Sequence, residues 1–415
     1  MNFGSRRAIE ALRAGVPNRD AVLFLGAHQN KILDRFSASL ASTSKNESSG
    51  NGFILGGEFG TGKSHMLHYL KQKALEDGFA VSLVVISKET PLSDLDMVYK
   101  AAIRELRLPD RQGGDLNEVV LRLDRRDERY AAFYEAVVSP DRTLDPLFAA
   151  TLLIFERLSG NDPLLDAVQA FWAGSRINVS DVKKALKFLG EAGSGLSVKP
   201  RKADELAPMR FSFTSQLIRA AGYNGWLLLV DEVELVAKLS LRSRARSYAN
   251  LAWMLGLSHS HIPYFVSVAA ATQDFTTEIL QKKQDDVNIP LKIGARDPAL
   301  AARAEHALRV IDESSGAWQA IVPQSDSTLD DTFVAIKGLY RDAFDWSGRA
   351  ESRPPYAGVT RSMRMHVREW ITRWDLERLD PNYAADIESE ALRPDLAERE
   401  GLDGLSETDE GDSND

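Results

Sequence analysis

Short apolar runs alternate with amphipathic stretches along this chain. Four runs are apolar almost throughout, which is typical of strands that are buried on both faces of a parallel sheet. They cover residues 53–57, 79–87, 226–230 and 264–270, and a weaker fifth run covers residues 318–322. Because helical periodicity fills most of the chain between them, the pattern predicts an α/β protein with a parallel sheet.

The same pattern predicts a division of the chain into four parts. They are an N-terminal helical segment (1–50), an α/β core (51–325) with a helical insertion (about 96–215), a small C-terminal helical lid (326–385) and an acidic tail (386–415). The tail contains seven acids and no base from Glu400 onward. Such a composition cannot bury enough apolar surface to fold, so we expect the tail to be disordered.

Composition and charge narrow the class of protein. Cysteine is absent, which excludes disulfides, thiolate metal sites and cysteine nucleophiles. Neither a membrane-length apolar run nor the apolar core of a signal peptide is visible, so we expect a cytoplasmic protein with no membrane contact. The formal net charge is −9, but without residues 400–415 it is about −2, which is compatible with a local basic surface for nucleic acid.

A glycine-rich stretch, GGEFGTGKS at residues 56–64, follows the first predicted strand and precedes a predicted helix. It fits the pattern G-x-x-x-x-G-K-[ST], in which backbone N–H groups surround a triphosphate, the lysine reaches its β- and γ-phosphates and the hydroxyl binds Mg²⁺. The alternative interpretation is a glycine-rich turn before a helix. The candidate phosphate-binding residues are Gly57, Glu58, Phe59, Gly60, Thr61, Gly62, Lys63, Ser64 and His65. We call residues 57–64 the candidate phosphate loop.

Two acids follow the apolar run at 226–230. Asp231 and Glu232 would lie at the carboxyl end of a strand, where open α/β sheets bind ligands. We expect Asp231 to help Ser64 bind Mg²⁺ and Glu232 to orient or deprotonate the attacking water. Acids in such a position can also be ordinary residues of a helix N-terminus. Glu234 could belong to the same site, but it can equally be a solvated helix residue.

Two further residues are candidates for contact with the γ-phosphate. Thr272 follows the apolar run at 264–270, although a threonine can also simply end a strand. Arg361 begins a helical stretch in which Arg364 and Arg368 share its face. We expect Arg361 to contact the γ-phosphate within its own subunit. A solvated surface is the simplest interpretation of Arg364 and Arg368.

Several arginines lie where a neighbouring subunit of a homo-oligomer could use them to complete the site. They are Arg242, Arg244, Arg246, Arg296 and Arg303. Most arginines in such segments are simply surface residues, so the choice stays open. His65 and His68 lie three residues apart on the helix after the loop, and without further ligands they are weak evidence for a metal site.

Four stretches together resemble a known family: RRAIEALRAGVPNRDAV, GGEFGTGKSHMLHYL, VVISKETPL and LLLVDEVEL. They are similar to the P-loop ATP-binding proteins of bacterial phage-defence islands, in particular the BrxD family of bacteriophage exclusion (BREX) systems. This family is similar to AAA+ ATPases, including the origin-recognition branch. The resemblance implies a P-loop NTPase core of three layers with a helical lid, and it implies that Val16, Pro17 and Arg19 contact adenine. The alternative is that these three residues form a turn between two helices.

The resemblance implies a Mg²⁺-dependent ATPase that acts as a motor or switch in a phage-defence complex. ATP and Mg²⁺ are the expected cofactors. Other phage-defence proteins, DNA and further copies of the chain are the expected partners. The alternative is an ATP-gated binding module, or a loader that recruits a partner to DNA, with little turnover of its own.

Overall fold

The computed structural model describes most of the chain outside the C-terminal tail. The described residues are 3–14, 26–27, 29–47, 52–109, 111, 113–158, 162–191, 196–258, 261–272, 275, 282–322, 325–346, 353, 363–380 and 382. The adenine contacts expected from Val16, Pro17 and Arg19, the γ-phosphate contact expected from Arg361 and the acidic tail all lie outside them.

A six-stranded sheet forms the centre of the described structure, in the order β3-β2-β4-β5-β1-β6. The strands are β1 (Phe53–Gly57), β2 (Ala80–Val85), β3 (Leu106–Arg107), β4 (Trp226–Asp231), β5 (Phe265–Thr272) and β6 (Trp318–Ala320). All neighbouring strands pair in parallel except β2 and β3, which are antiparallel. The prediction of an α/β protein with a parallel sheet is therefore confirmed for every strand except β3, which pairs antiparallel with β2. The apolar pattern did not predict β3, because a strand of two residues is too short to show a period.

Helices fill most of the chain between the strands. They are α1 (Phe3–Ala14), α2 (Asn30–Ser44), α3 (Lys63–Glu76), α4 (Leu95–Arg104), α5 (Leu116–Leu121), α6 (Glu128–Val138), α7 (Pro146–Arg157), α8 (Pro163–Trp172), α9 (Val179–Phe188), α10 (Ala203–Ala220), α11 (Leu241–Met254), α12 (Asp285–Asn288), α13 (Pro298–Val310), α14 (Asp326–Phe344) and α15 (Met363–Leu379). Within the described part of the chain, no helix is both long and apolar enough to cross a membrane.

Helices cover both faces of the sheet. Alternate residues of β4 show this, because Leu227 and Leu229 pack with helices α2 and α3, whereas Leu228 and Val230 belong to the core on the opposite face. That opposite core includes the helices between β2 and β4 and helices α11 and α13. Burial on both faces explains why β4 and β5 are apolar without alternation.

The helices between β2 and β4 pack around a buried polar network. Arg210 on α10 is 1% exposed. Its guanidinium donates to the carboxylate of Asp96 on α4 at 2.5 Å and to the carbonyl of Ser175 at 2.9 Å. The hydroxyl of Tyr99 donates to the carbonyl of Trp172 at 2.5 Å. These bonds join α4, α10 and the end of α8. Because α4 is the first helix after β2, they attach the helices between β2 and β4 to the sheet.

Helix α1 packs against the C-terminal helices α14 and α15. Ile9 of α1 lies in one apolar cluster with Ile336 and Trp370, whereas Phe36 of α2 lies in the core beside the sheet. Arg13 of α1 also pairs with Asp375 of α15 at 2.7 Å. The first two described helices of the chain therefore pack in different clusters, although both fall in the predicted segment 1–50.

A buried ion pair attaches the segment after β5 to α11. The guanidinium of Arg244 donates to both carboxylate oxygens of Asp285 at 2.8 Å, and Tyr248 donates to the same carboxylate at 2.6 Å. Asp285 is fully buried and Arg244 is 5% exposed. Arg242 lies two residues earlier on the same helix. It pairs instead with Asp297 at 3.2 Å, and both of these side chains are partly exposed.

We expect Arg244→Met to lower the free energy of unfolding by about 3–5 kcal/mol, because it leaves the buried carboxylate of Asp285 without its cation. Arg242→Met is the matched control. Its ion pair is partly exposed, so its loss should cost about 1 kcal/mol or less. Urea unfolding of both variants measures the difference, and equal effects would contradict this account of Arg244.

Candidate functional site

The carboxyl ends of three parallel strands meet at one edge of the sheet. Gly57, the last residue of β1, pairs with Thr272, the last residue of β5, and β5 lies between β1 and β4. Asp231 ends β4 and aligns with Val85 at the end of β2. Neighbouring strands are about 4.8 Å apart, so the backbones of β1 and β4 are separated by about 10 Å. A long side chain can span this gap.

The candidate phosphate loop connects β1 to α3 with a tight turn. The amide and the hydroxyl of Thr61 both donate to the carbonyl of Glu58, at 3.2 and 2.8 Å. A Cβ atom on Gly57 would lie 2.5 Å from the hydroxyl oxygen of Thr61, so a larger residue there would displace this turn. Gly62 has a φ of 101° and directly precedes α3, a conformation that favours glycine. Phe59 is half exposed at the tip of the loop.

Lys63 begins α3 and is 8% exposed. Its Nζ donates to the carbonyls of Gly57 and Glu58, at 2.9 and 3.1 Å, so the lysine folds back over its own loop. Burial lowers the pKa of Lys63. The negative charges of Glu234, Asp231 and Glu232 raise this pKa, whereas the positive charge of Arg364 lowers it further. The structure therefore brings Lys63 together with the acids that follow β4.

Asp231 and Glu232 occupy different environments. Asp231 is 8% exposed, and its Oδ1 accepts a hydrogen bond from the backbone N–H of Glu232 at 2.9 Å. The side chain of Glu232 is exposed, and its backbone has the left-handed conformation, with φ 61°. Burial of part of its carboxyl group raises the pKa of Glu232, as does the charge of Asp231, while Lys238 and Lys63 lower it.

Glu234 is buried, which rules out the interpretation as a solvated helix residue. It lies in a short 3₁₀ helix, Val233–Lys238, and is 8% exposed. Burial raises the pKa of its carboxyl group, whereas a hydrogen bond from its own backbone N–H and the charge of Lys63 lower it. The sequence pattern offered no reason to choose Glu234 over Glu232, because a six-residue 3₁₀ helix is too short to show a period of buried and exposed positions.

Two buried polar atoms near this edge have no hydrogen-bond partner among the described residues. They are Oε2 of Glu234 and the hydroxyl oxygen of Thr272, which is 6% exposed as a residue. Buried polar groups are almost always hydrogen-bonded, and one without a partner costs about 1–3 kcal/mol. Such atoms at the end of β5 and after β4 are typical of a site that binds a polar ligand.

The histidines after the loop make other contacts. His65 forms a hydrogen bond through Nε2 to the carbonyl of Gly26 at 2.8 Å. Burial lowers the pKa of His68, the charge of Lys71 lowers it further and the charge of Asp231 raises it. Within the described residues, no group of three or more histidine and acidic side chains is placed to hold a metal ion by itself.

The arginine candidates fall into separate surroundings. Arg244 is buried against Asp285 and so cannot reach a neighbouring subunit in this conformation. Arg296 and Arg303 are exposed. Arg364 is also exposed, but its charge acts on Lys63, so the start of α15 lies near the candidate phosphate loop. The sequence placed Arg364 on the same helical face as Arg361, and that shared face was the only signal for it.

The fold and the geometry at this edge are compatible with an α/β protein that has a P-loop-like core. The sequence pattern of the family described as BREX system ATP-binding protein BrxC/D matches residues 4–281, which is more than half of the chain. The chain therefore belongs to this family, as its sequence motifs predicted. Membership implies ATP binding in phage defence and suggests other BREX proteins as partners. No curated protein and no solved structure matches the chain significantly.

The family match has a defined extent. It covers α1, the candidate phosphate loop, the acids after β4 and Thr272. It ends before α12, so the helical lid that the resemblance implies lies outside the matched residues and stays a prediction.

Replacing Glu232 tests the strain at the start of the 3₁₀ helix. A left-handed backbone costs a residue with a Cβ atom about 1–2 kcal/mol, and glycine avoids this cost. We therefore expect Glu232→Gly to be more stable than Glu232→Ala by about 1 kcal/mol in urea unfolding. The control is the same pair of substitutions at Glu135, an exposed position within α6, where glycine should be the less stable by about 1 kcal/mol. A less stable Glu232→Gly would contradict the assigned backbone conformation.

Proposed function

We propose that the chain is an ATPase of the AAA+ type, with a P-loop NTPase core, that binds ATP and Mg²⁺ at the candidate phosphate loop. The observation that carries this proposal is the convergence of Lys63, Asp231 and Thr272 at one edge of the sheet. Phosphoryl transfer depends on a positioned cation at the β- and γ-phosphates, an acid that orients the metal and a polarised water. The residues available at this edge can supply all three.

In the proposed complex, Lys63 leaves the carbonyls of Gly57 and Glu58 and donates to the phosphates. Backbone N–H groups from Gly57 to His65, in the candidate phosphate loop and the first turn of α3, surround the triphosphate. The loop carbonyls that accept from Lys63 in the described structure show that its ammonium group already lies over the loop. Only a short movement of the side chain is therefore needed.

Ser64 and Asp231 fit Mg²⁺, which prefers hard oxygen ligands and keeps several waters when bound. Ser64 follows Lys63 in the first turn of α3, and the carboxylate of Asp231 ends β4. A donor set of one hydroxyl and one carboxylate suits an ion that takes its other ligands from phosphate and water. Bound there, Mg²⁺ offsets the negative charge of the triphosphate.

Glu232 is proposed to orient or deprotonate the attacking water. Its side chain is exposed, so water can reach it, and the raised pKa of its carboxyl group favours acceptance of a proton. Thr272 would donate its hydroxyl to the γ-phosphate, which would give that buried group a partner. The charge of Arg364 on Lys63 supports a contact from α15 to the γ-phosphate, in addition to the one predicted for Arg361.

ATP turnover is proposed to drive a motor or a switch in a BREX complex, directed to DNA and acting as a homo-oligomer. The packing of α1 with α14 and α15 supports a helical lid that includes both ends of the described chain. Val16, Pro17 and Arg19 follow α1, and contact with adenine there would join the nucleotide to this lid. The alternative is an ATP-gated binding module or loader with little turnover.

Two substitutions test the proposed chemistry. Lys63→Ala should abolish ATP binding, because it removes the cation at the phosphates, whereas Glu232→Gln should retain binding and lose turnover about 100-fold or more. Equilibrium binding of a fluorescent ATP analogue and phosphate release measure the two effects. Lys73→Ala, which removes an exposed lysine of the same helix, is the control and should change neither. Normal turnover by both site variants would exclude the proposal, and binding without turnover by the unaltered protein would favour the alternative.

Arg364 and Arg368 lie one turn apart on α15 and are both exposed, so they form a matched pair. Of the two, Arg364 is the one whose charge lowers the pKa of Lys63. We expect Arg364→Ala to lower kcat/KM for ATP about 10-fold or more, and Arg368→Ala to leave it within about 2-fold. Steady-state phosphate release checks this, and an equal loss in both variants would point to a surface role for the helix face.

A further inference from the structure

One face of α9 carries three lysines and a phenylalanine that the packing of the protein does not use. Helix α9 lies among the helices between β2 and β4, and it buries Val182 and Leu186 in their shared core. Residues three and four apart in the chain lie on the same face of a helix. The exposed side chains on the face away from this core are Lys183, Lys184, Lys187 and Phe188. We call these four residues the basic face.

Positive charge is concentrated around the basic face, although the protein as a whole is acidic. Residues 176–202 contain seven lysines and arginines and two acids, a net charge of +5 in a chain whose formal net charge is −9. Both acids of this stretch are paired. Asp181 pairs with Lys184 at 3.2 Å, and Glu191 pairs with Arg157 of α7 at 3.2 Å. Among the described residues, Lys183 and Lys187 form no ion pair, so their charges are available to a partner.

The basic face is unfavourable for the fold of the isolated chain. Lys183 and Lys187 lie four residues apart, and like charges at this spacing destabilise a helix. Phe188 is 85% exposed at the end of α9, so folding removes little of its apolar surface from water. The helix dipole favours a base in the last turn, such as Lys187, but it explains neither Lys183 nor the exposed ring. Lysines beside an exposed aromatic ring are typical of surfaces that bind a single nucleic-acid strand.

From these observations we infer that the basic face binds single-stranded DNA. The three lysines contact the phosphate backbone, and the ring of Phe188 stacks on an unpaired base. A single strand fits both parts of the face, because it offers phosphates and exposed base faces together. The bases of a duplex are already stacked on each other, and an acidic polypeptide has no comparable flat groups. The inference deepens the proposed direction of the protein to DNA by naming the surface, and it rests on that part of the proposed function.

Neutral substitutions separate the two contributions to binding. Lys183→Gln combined with Lys187→Gln removes two phosphate contacts, so we expect the Kd for a single strand to rise about 10-fold at about 100 mM salt. The slope of log Kd against log salt should fall by about 1.4, because each phosphate contact on a single strand contributes about 0.7. Phe188→Ala should raise the Kd about 5-fold or more through loss of stacking and leave the slope unchanged.

The experiment is fluorescence anisotropy of a labelled thymidine oligonucleotide of about 20 bases with the full chain, over a range of salt concentrations. An unlabelled duplex of the same length and a glutamate polymer are the competitors. Lys45→Gln combined with Lys292→Gln is the matched control, since it removes the same charge from two exposed lysines elsewhere. Leu121→Ala is the control for Phe188, because Leu121 is 84% exposed on α5. Neither control should change the Kd or the slope.

The outcomes separate this surface from the proposed function. If the unaltered protein binds the single strand and the variants of the basic face bind it equally well, the assigned surface is wrong while the direction to DNA stands. Competition by the duplex or the glutamate polymer that equals that of unlabelled single strand contradicts the choice of single-stranded DNA. If the unaltered protein binds no DNA, this inference and the proposed direction to DNA both fail, whereas ATP binding, measured separately, decides the nucleotide site.

Discussion

One buried lysine at the edge of the sheet is the constraint on which the rest of the site depends. The ammonium group of Lys63 is held by two carbonyls of its own loop and by the charges of acids that arrive from a strand almost 170 residues later. Burial disfavours an isolated charge, so the lysine is stable there only with such partners. The sheet supplies them, because parallel strands that are buried on both faces bring their carboxyl ends to one edge.

The larger packing features fix this edge in place. Apolar residues of β4 anchor in both helical layers, which sets the position of Asp231. Buried polar contacts around Arg210 attach the long helical segment after β2 to the core, and the pair of Arg244 with Asp285 attaches the chain after β5 to α11. Each junction lies beside a strand that ends at the site.

Much of the fold and part of the site could be predicted from sequence, for physical reasons that particular residues illustrate. Strands β1, β2, β4 and β5 were visible because burial on both faces requires continuous apolar runs, whereas the edge strand β6 is less buried and gave only a weak apolar run. The loop was visible because a side chain at Gly57 would displace the turn and the backbone at Gly62 favours glycine. The short strand β3 and the packing of α1 against α14 and α15 depend on tertiary contacts with no local period. The burial of Glu234 and the effect of Arg364 on the pKa of Lys63 could not be predicted for the same reason, because both depend on tertiary structure.

The central claim is that Lys63 exchanges its loop carbonyls for the phosphates of ATP. A crystal structure with Mg²⁺ and a non-hydrolysable ATP analogue tests it most directly. The account predicts the triphosphate in the loop between residues 57 and 64, with Nζ of Lys63 within hydrogen-bond distance of the β- and γ-phosphate oxygens and the ion beside Ser64 and Asp231. An analogue bound elsewhere, with Lys63 still donating to the carbonyls of Gly57 and Glu58, would contradict it.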